Sequence, residues 1–251
     1  MTRRILLVNP NVTAAITETM AAEAQRVAAL GSEIVAVTAR FGTLYIENRV
    51  EAAIAGHAVL DALAEHASGC DAAIISAFGD PGLAAAKEMM EIPVVGISEA
   101  AYLTAYTLGR RYAIVCLTER LGVWYRECAE DHGLDGRLVS VRPLTIPPED
   151  ITRAKEQVGR RLVAECLAAV EQDGAEVVVM GGGPVAGLAA EVAHEIPVPV
   201  LDGVSCGIRL AENLIDLAPV KATRGSFARP AAKPSSGLSP ALAAWVERRE
   251  D

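Results

Sequence analysis

Short oily runs alternate with longer amphipathic stretches along most of this chain. Residues 4–8, 72–77, 112–116 and 176–180 are, apart from Arg4, Ser76 and Glu176 at or near their ends, apolar at consecutive positions rather than at every second one. Such continuity is expected of strands buried on both faces, as in a parallel sheet. The stretches between them, of which 51–67 and 158–172 are the longest, place apolar residues at i, i+3 and i+4, the spacing of an amphipathic helix. Further strands are expected at 33–38, 93–97, 138–144 and 197–201, and short helices at 82–90 and 186–194. Pro199 marks a strand end or a sheet edge. Strands that alternate with helices imply βαβ crossovers and a parallel sheet.

The pattern occurs twice. RRILLVNPN from position 3 is answered by RRYAIVCLT from position 110, an offset of 107. DAAIISAFGDPGLAA from 71 is answered by EVVVMGGGPVAGLAA from 176, an offset of 105, and IPVVGI from 92 by IPVPVL from 196, an offset of 104. Three matches in one order at nearly one spacing point to a duplicated unit. The expected fold is therefore α/β, with two pseudo-symmetric lobes, each a parallel four-stranded sheet flanked by helices. Residues 1–98 with 207–230 form one lobe and 99–206 the other; 231–251 form a tail with a short helix, anchored by Trp245.

Ligands of such sheets bind beyond the C-terminal ends of the strands. Here those ends carry Asn9-Pro10-Asn11, Ala77-Phe78-Gly79-Asp80, Ser98-Glu99, Cys116-Leu117-Thr118, Gly181-Gly182-Gly183 and Asp202-Gly203. Polar residues and glycines concentrate there although the strands are oily, so a shared cleft between the lobes is the expected site.

Composition narrows the function. Hydrophobic residues make up 51% and aromatics 4%, suited to Ala- and Val-rich sheets under helices. The formal net charge is −9 with no basic cluster, which argues against nucleic acid or an anionic membrane as partner. The first apolar run, Ile5–Val8, is too short for a secretory signal, and no segment reaches the ~18–20 apolar residues of a membrane span. Five scattered cysteines without a CxxC pair read as reduced thiols of a cytoplasmic protein, and the four histidines show no metal-ligand spacing. No metal and no organic cofactor are expected.

NPN at 9–11, FGDPGL at 78–83, VVGISEAA at 94–101, GxxxAGLA at 182–189, VLDGV at 200–204 and KATRGSFARP at 221–230 together resemble the Asp/Glu/hydantoin racemase superfamily, nearest its hydantoin/allantoin racemase branch. The resemblance covers residues 3–230. It implies a cofactor-independent racemase acting on a small anionic or cyclic-ureide compound, such as an amino-acid derivative, hydantoin, allantoin or substituted dicarboxylate, and a homo-oligomer. It also implies two cysteines on opposite faces of the stereogenic carbon, one thiolate removing the α-proton and one thiol supplying a proton. In this sequence the corresponding positions are Ala77 and Gly182, symmetry mates under the 105-residue offset. Three readings follow: an isomerase or racemase with displaced acid/base groups, a one-sided lyase, decarboxylase or hydrolase, or a non-catalytic small-molecule-binding relative.

Candidate catalytic groups are Ser76, Asp80 and Cys116. Ser76 replaces a thiol at 77 only if the chain is already turning there, because strand neighbours face opposite sides. Asp80 fits a general base, an N-cap of the following helix, or both. Cys116 ends a strand at the cleft, and Cys206 lies where a helix N-terminus could lower a thiol pKa. Gly181, Gly182 and Gly183, with Ala77, Phe78 and Gly79 opposite, suit an anion or enolate cradle of backbone N–H groups, or tight turns. Their spacing excludes a dinucleotide or P-loop fingerprint. By resemblance, Asn11 and Thr118 hold the substrate's carboxylate or ureide. Tyr45 and Glu47 fall in a loop placed to act as a lid.

Overall fold

The structure, a computed structural model, describes residues 2–147 and 158–248; residues 148–157, which the sequence reading assigns to the second lobe, and 249–251 of the tail lie outside the described residues. The first half runs β1 (Arg3–Asn9), α1 (Ala14–Val27), β2 (Ser32–Thr38), α2 (Arg49–His66), β3 (Ala72–Ile75), α3 (Leu83–Met89), β4 (Val94–Gly96) and α4 (Ile97–Leu108). The second runs β5 (Tyr112–Cys116), α5 (Glu119–Asp131), β6 (Leu138–Pro143), α6 (Gly159–Glu171), β7 (Val177–Met180), α7 (Leu188–Val192), β8 (Val200–Asp202) and α8 (Gly203–Leu217). A tail helix, α9 (Pro240–Glu247), closes the described chain.

Both sheets have four parallel strands in the same order, β2-β1-β3-β4 and β6-β5-β7-β8. Their central strands explain the continuous apolar runs. Ile5, Leu7, Ala72 and Ile74 face a core shared with the second lobe, whereas Leu6, Val8, Ala73 and Ile75 face the helices α2, α3 and α9 on the other side. Each fully buried Leu or Ile contributes roughly 1.5–3 kcal/mol from burial, and truncating Ile74 to Ala would cost about 2–5 kcal/mol.

Several boundaries move. β3 ends at Ile75, two residues earlier than expected; Ser76 keeps one bond to the sheet, its N–H donating to the Val8 carbonyl at 2.8 Å, and Ala77 has left it. Ile97 begins α4 instead of ending β4. β8 starts after Pro199, since proline has no N–H for the ladder. The helix expected at 186–194 is a five-residue α7 between two 3₁₀ turns, Gly183–Val185 and Ala193–Glu195.

The helices that follow the fourth strands are exchanged. α4 leaves the first sheet and packs on β7 and β8, while α8 leaves the second and packs on β1, β3 and β4; the two helices also pack on each other. α9 docks on α2 through Leu242, with Trp245 beneath the Arg229 guanidinium at 5.1 Å. Among the described residues no helix is long and apolar enough to cross a membrane.

Candidate active site

The turn after β1 is built by its own side chains. Asn9 is fully buried; its amide Nδ2 donates to Asn11 Oδ1 (3.0 Å) and Thr17 Oγ1 (2.9 Å), and its Oδ1 accepts from the Asn11 N–H (3.2 Å). Asn11 Oδ1 also accepts from Thr13 N at 3.0 Å. Both lone-pair directions of the Asn11 carbonyl are thus used, while its Nδ2 makes no hydrogen bond among the described residues.

That side chain borders a cavity of about 40 Å³ at the junction of the lobes. Ser76, Ala77 and Phe78 line it from the first lobe; Leu117, Leu121, Tyr125, Gly182 and Gly183 line it from the second; Tyr45 and Ile46 cover it. The space holds one or two waters, far below the several hundred cubic ångströms of a ligand pocket, so the loop must move to admit a ring-sized ligand. Cross-lobe contacts hold that loop. Thr118 Oγ1 donates to Glu47 Oε1 at 2.6 Å, and Arg49 pairs with Glu127. The loop is also tied to its own lobe by Thr13 Oγ1, which donates to the Leu44 carbonyl at 2.6 Å.

No side chain of the cavity lining carries a charge among the described residues. Its polar groups are donors or hydroxyls. Ser76 Oγ donates to Met20 Sδ at 3.0 Å, a weak acceptor that a ligand oxygen can replace, and its own lone pairs accept no hydrogen bond among the described residues. The backbone N–H groups of Ala77, Phe78, Gly182 and Gly183 have no acceptor among the described residues. Because β3 has ended, Ser76 and Ala77 both reach the cavity, the condition under which Ser76 can serve in place of its neighbour.

The glycines divide between packing and site. A Cβ on Gly181 would stand 2.7 Å from the Tyr125 ring, and one on Gly79, at φ +107°, 2.4 Å from the Trp124 ring. Neither residue lines the cavity; both are held by aromatic side chains of α5. Gly182 has φ +129° and ψ 128°, a conformation left to glycine, although a Cβ there would meet only ordinary contacts, Leu117 Cδ1 at 3.6 Å and Tyr125 Oη at 3.8 Å.

The expected acid/base groups sit elsewhere. The Asp80 carboxylate does not cap α3, whose N-cap Gly82 has no side-chain bond. It turns to α4 instead, accepting from Ser98 N (3.0 Å), Glu99 N (2.7 Å) and His132 Nε2 (3.1 Å). Those two α4 donors are otherwise orphaned helix-start N–H groups, which is why a buried carboxylate is stable there. For His132, burial disfavours the charged form, but the hydrogen bond and charge of Asp80 outweigh it and raise the pKa. Cys116 is buried outside the cavity, its Sγ 3.3 Å from the Thr118 carbonyl, and burial pushes its pKa up to about 12. Cys206 is likewise raised by burial, to about 11, against the lowering expected from a helix N-terminus. Thr118 caps α5, accepting from Leu121 N at 3.2 Å, and its donor goes to Glu47; it does not border the cavity.

The sequence reading missed two groups. Tyr125 faces the cavity from the second turn of α5, where its helical spacing suggests only a core aromatic. Asp80, Cys128 and His132 bring ligand atoms within 4.8 Å of one another, the one such trio among the described residues. Cys128, in the last turn of α5, and His132, its C-cap, stand four apart, a mixed Cys/His spacing that neither the CxxC pattern nor the spacing among the histidines reveals. Both Asp80 oxygens are already filled by α4 and His132, so the trio works as a helix cap with a histidine clamp.

Comparison with known proteins places this geometry. Residues 5–211 match the family described as Asp/Glu/Hydantoin racemase. Hydantoin racemase of Paenarthrobacter aurescens is 33% identical over 232 residues, 92% of this chain and 98% of the relative. The solved allantoin racemase from Klebsiella pneumoniae is 34% identical with a TM-score of 0.91, covering 96% of this chain and 99% of its own. Unliganded arylmalonate decarboxylase shares the fold at 18% identity and a TM-score of 0.57.

Proposed function

The chain belongs to the Asp/Glu/hydantoin racemase family and with it to the isomerases, and we propose that it inverts a carbon acid of the cyclic ureide type in the cavity between Ala77 and Gly182. The observation that carries this choice of substrate is the uncharged lining. An amino acid or dicarboxylate would bury a carboxylate there without a cation, at a cost of several kcal/mol. A hydantoin-like ring is neutral and presents carbonyl acceptors, which suit the free donors of Asn11, Gly182 and Gly183. The relatives named for hydantoin and allantoin support the same class.

On this reading the family's two thiol positions are occupied by Ala77 and Gly182; the proton leaving one face of the stereogenic carbon passes to water in the cavity, and water returns a proton to the other face. Ser76 Oγ, on the first wall, orients that water. Enolate charge would fall on ring oxygens held by the backbone and amide donors, the arrangement that stabilises such anions most.

A second reading has its own observation. No carboxylate, imidazole or thiol borders the cavity among the described residues, so a strong base is lacking. A reaction that makes the carbanion by losing a fragment, such as decarboxylation, needs only a proton donor afterwards. Incubation of 5-substituted hydantoins in D₂O separates the two readings. Wash-in of deuterium at C5 with loss of optical activity supports the isomerase; release of CO₂ or another fragment from carboxylated analogues supports the lyase. A panel with neither outcome overturns both.

A further inference from the structure

Three tyrosines are fully or almost fully buried, and two have evident hydrogen-bond partners. Tyr102 Oη donates to the Tyr125 carbonyl at 3.1 Å, and Tyr112 Oη to the Leu134 carbonyl at 2.9 Å. Tyr125 is 3% exposed, yet its hydroxyl has no hydrogen-bond partner among the described residues. Oη is not among the fully enclosed unpaired atoms of the described residues, so it opens on the cavity that Tyr125 lines, where a ligand oxygen can supply its partner. Its surroundings show where that partner would sit. The ring packs against Phe78 (centroids 4.6 Å apart) and over Gly181, and Oη lies 3.8 Å from the place of a Cβ on Gly182.

We propose that Tyr125 Oη is the catalytic hydrogen-bond donor of the second wall, binding a carbonyl oxygen of the ligand and holding it as it becomes an enolate oxygen. The role rests on the carbon-acid reading above and gives the phenol the place beside Gly182. Two further features fit a donor and not a base. Burial first, then the nearby Cys116, Cys128 and Glu47, raise the Tyr125 pKa, so the phenol keeps its proton at neutral pH. The N–H groups of its cavity neighbours Gly182 and Gly183 also lack an acceptor among the described residues, so the same cavity offers further donors to a ligand oxygen. No proton needs to leave Tyr125: the O–H bond stays intact while negative charge builds on the ligand oxygen. A ligand with an amine or a methylene at that point would leave the donors unmet and be rejected.

The test compares wild type with Tyr125→Phe, using a 5-substituted hydantoin and its analogue lacking one ring carbonyl. The expected result is an unchanged melting temperature, a kcat/KM for C5 deuterium exchange about 100-fold lower, and loss of the wild-type preference for the dicarbonyl ring. A drop of less than about tenfold, with the preference retained, overturns the role of Tyr125 alone. Absence of both binding and exchange in wild type overturns the carbon-acid reading and this role with it. Incorporation of 3-fluorotyrosine at 125 avoids the question of folding: its ¹⁹F signal should move on addition of the hydantoin but not of the analogue. An unmoved signal with bound hydantoin also overturns the assignment.

Discussion

Glu47 Oε1 accepts a 2.6 Å hydrogen bond from Thr118 Oγ1, and this bond joins the loop over the cavity to the opposite lobe. Thr118 is at the same time the N-cap of α5, the helix that carries Tyr125. Loop position and the second wall of the cavity are therefore connected through one hydroxyl.

Glu47→Ala should release the loop. Hydrogen exchange of residues 41–47 is expected to speed up by roughly tenfold, matching about 1.5 kcal/mol for a charge-assisted bond, while exchange in β1 and β5 stays put. Ligand on-rate should rise and residence time fall. A loop that exchanges at the wild-type rate in this variant is not latched by Glu47.

Thiol chemistry should be dispensable. With Cys116 near 12 and Cys206 near 11, almost no thiolate exists at pH 7.5. Iodoacetamide under native conditions is expected to leave the mass of the peptide carrying Cys116, and the deuterium exchange of the substrate, unchanged. Cys116→Ser with a large loss of kcat at unaltered stability would place a thiol back in the reaction.

Gly182→Ala tests backbone strain apart from space. The nearest atom to its Cβ would be Leu117 Cδ1 at 3.6 Å, so no clash arises, but φ +129° is unfavourable for any L side chain. A loss of about 1–3 kcal/mol is expected, visible as a lower urea midpoint. The pair Ala77→Cys with Gly182→Cys should carry the same penalty, and a variant as stable as wild type would mean that the turn relaxes freely.

The Asp80–His132 pair predicts a pH dependence. The folded His132 pKa lies above the unfolded value near 6.5. Its contribution is therefore complete below pH ~6 and is lost as pH rises through the folded pKa. The melting temperature of wild type minus that of His132→Asn should be largest near pH 5.5 and shrink by pH 9. A difference that is flat across this range contradicts the ion pair. Asp80→Ala should cost more at every pH, about 3 kcal/mol, because two α4 N–H groups lose their acceptor.

Much of the fold was legible in the sequence because its signals are local or repeated. Continuous apolar runs identify strands covered on both faces, and the 105-residue offset that equates DAAII with EVVVM also equates β3 with β7 in the sheets. The site was legible in part. Asn11, Ser76, Ala77, Phe78, Gly182 and Gly183 do line one cavity, since strand ends of a parallel sheet converge. Asp80 misled because a carboxylate before a helix has two helix starts within reach, and only tertiary structure shows that it serves α4. Gly79 and Gly181 read as ligand cradles, yet each makes room for an aromatic ring of α5, a partner with no signature near them in sequence. Tyr125 was missed for the converse reason: helical periodicity marks which face is buried and cannot show that the buried end of the ring meets a void.

The exchanged helices set an order on synthesis. The inner face of the first sheet, with Ile5, Leu7 and Ile74, awaits residues 203–217, about 120 residues after β4 leaves the ribosome. At cellular elongation rates that interval is on the order of ten seconds. A nascent first half therefore carries an uncovered oily surface for that time, and release of the chain at residue 110 would leave it permanently sticky. Each half therefore has one face of its sheet covered by a helix that the other half supplies.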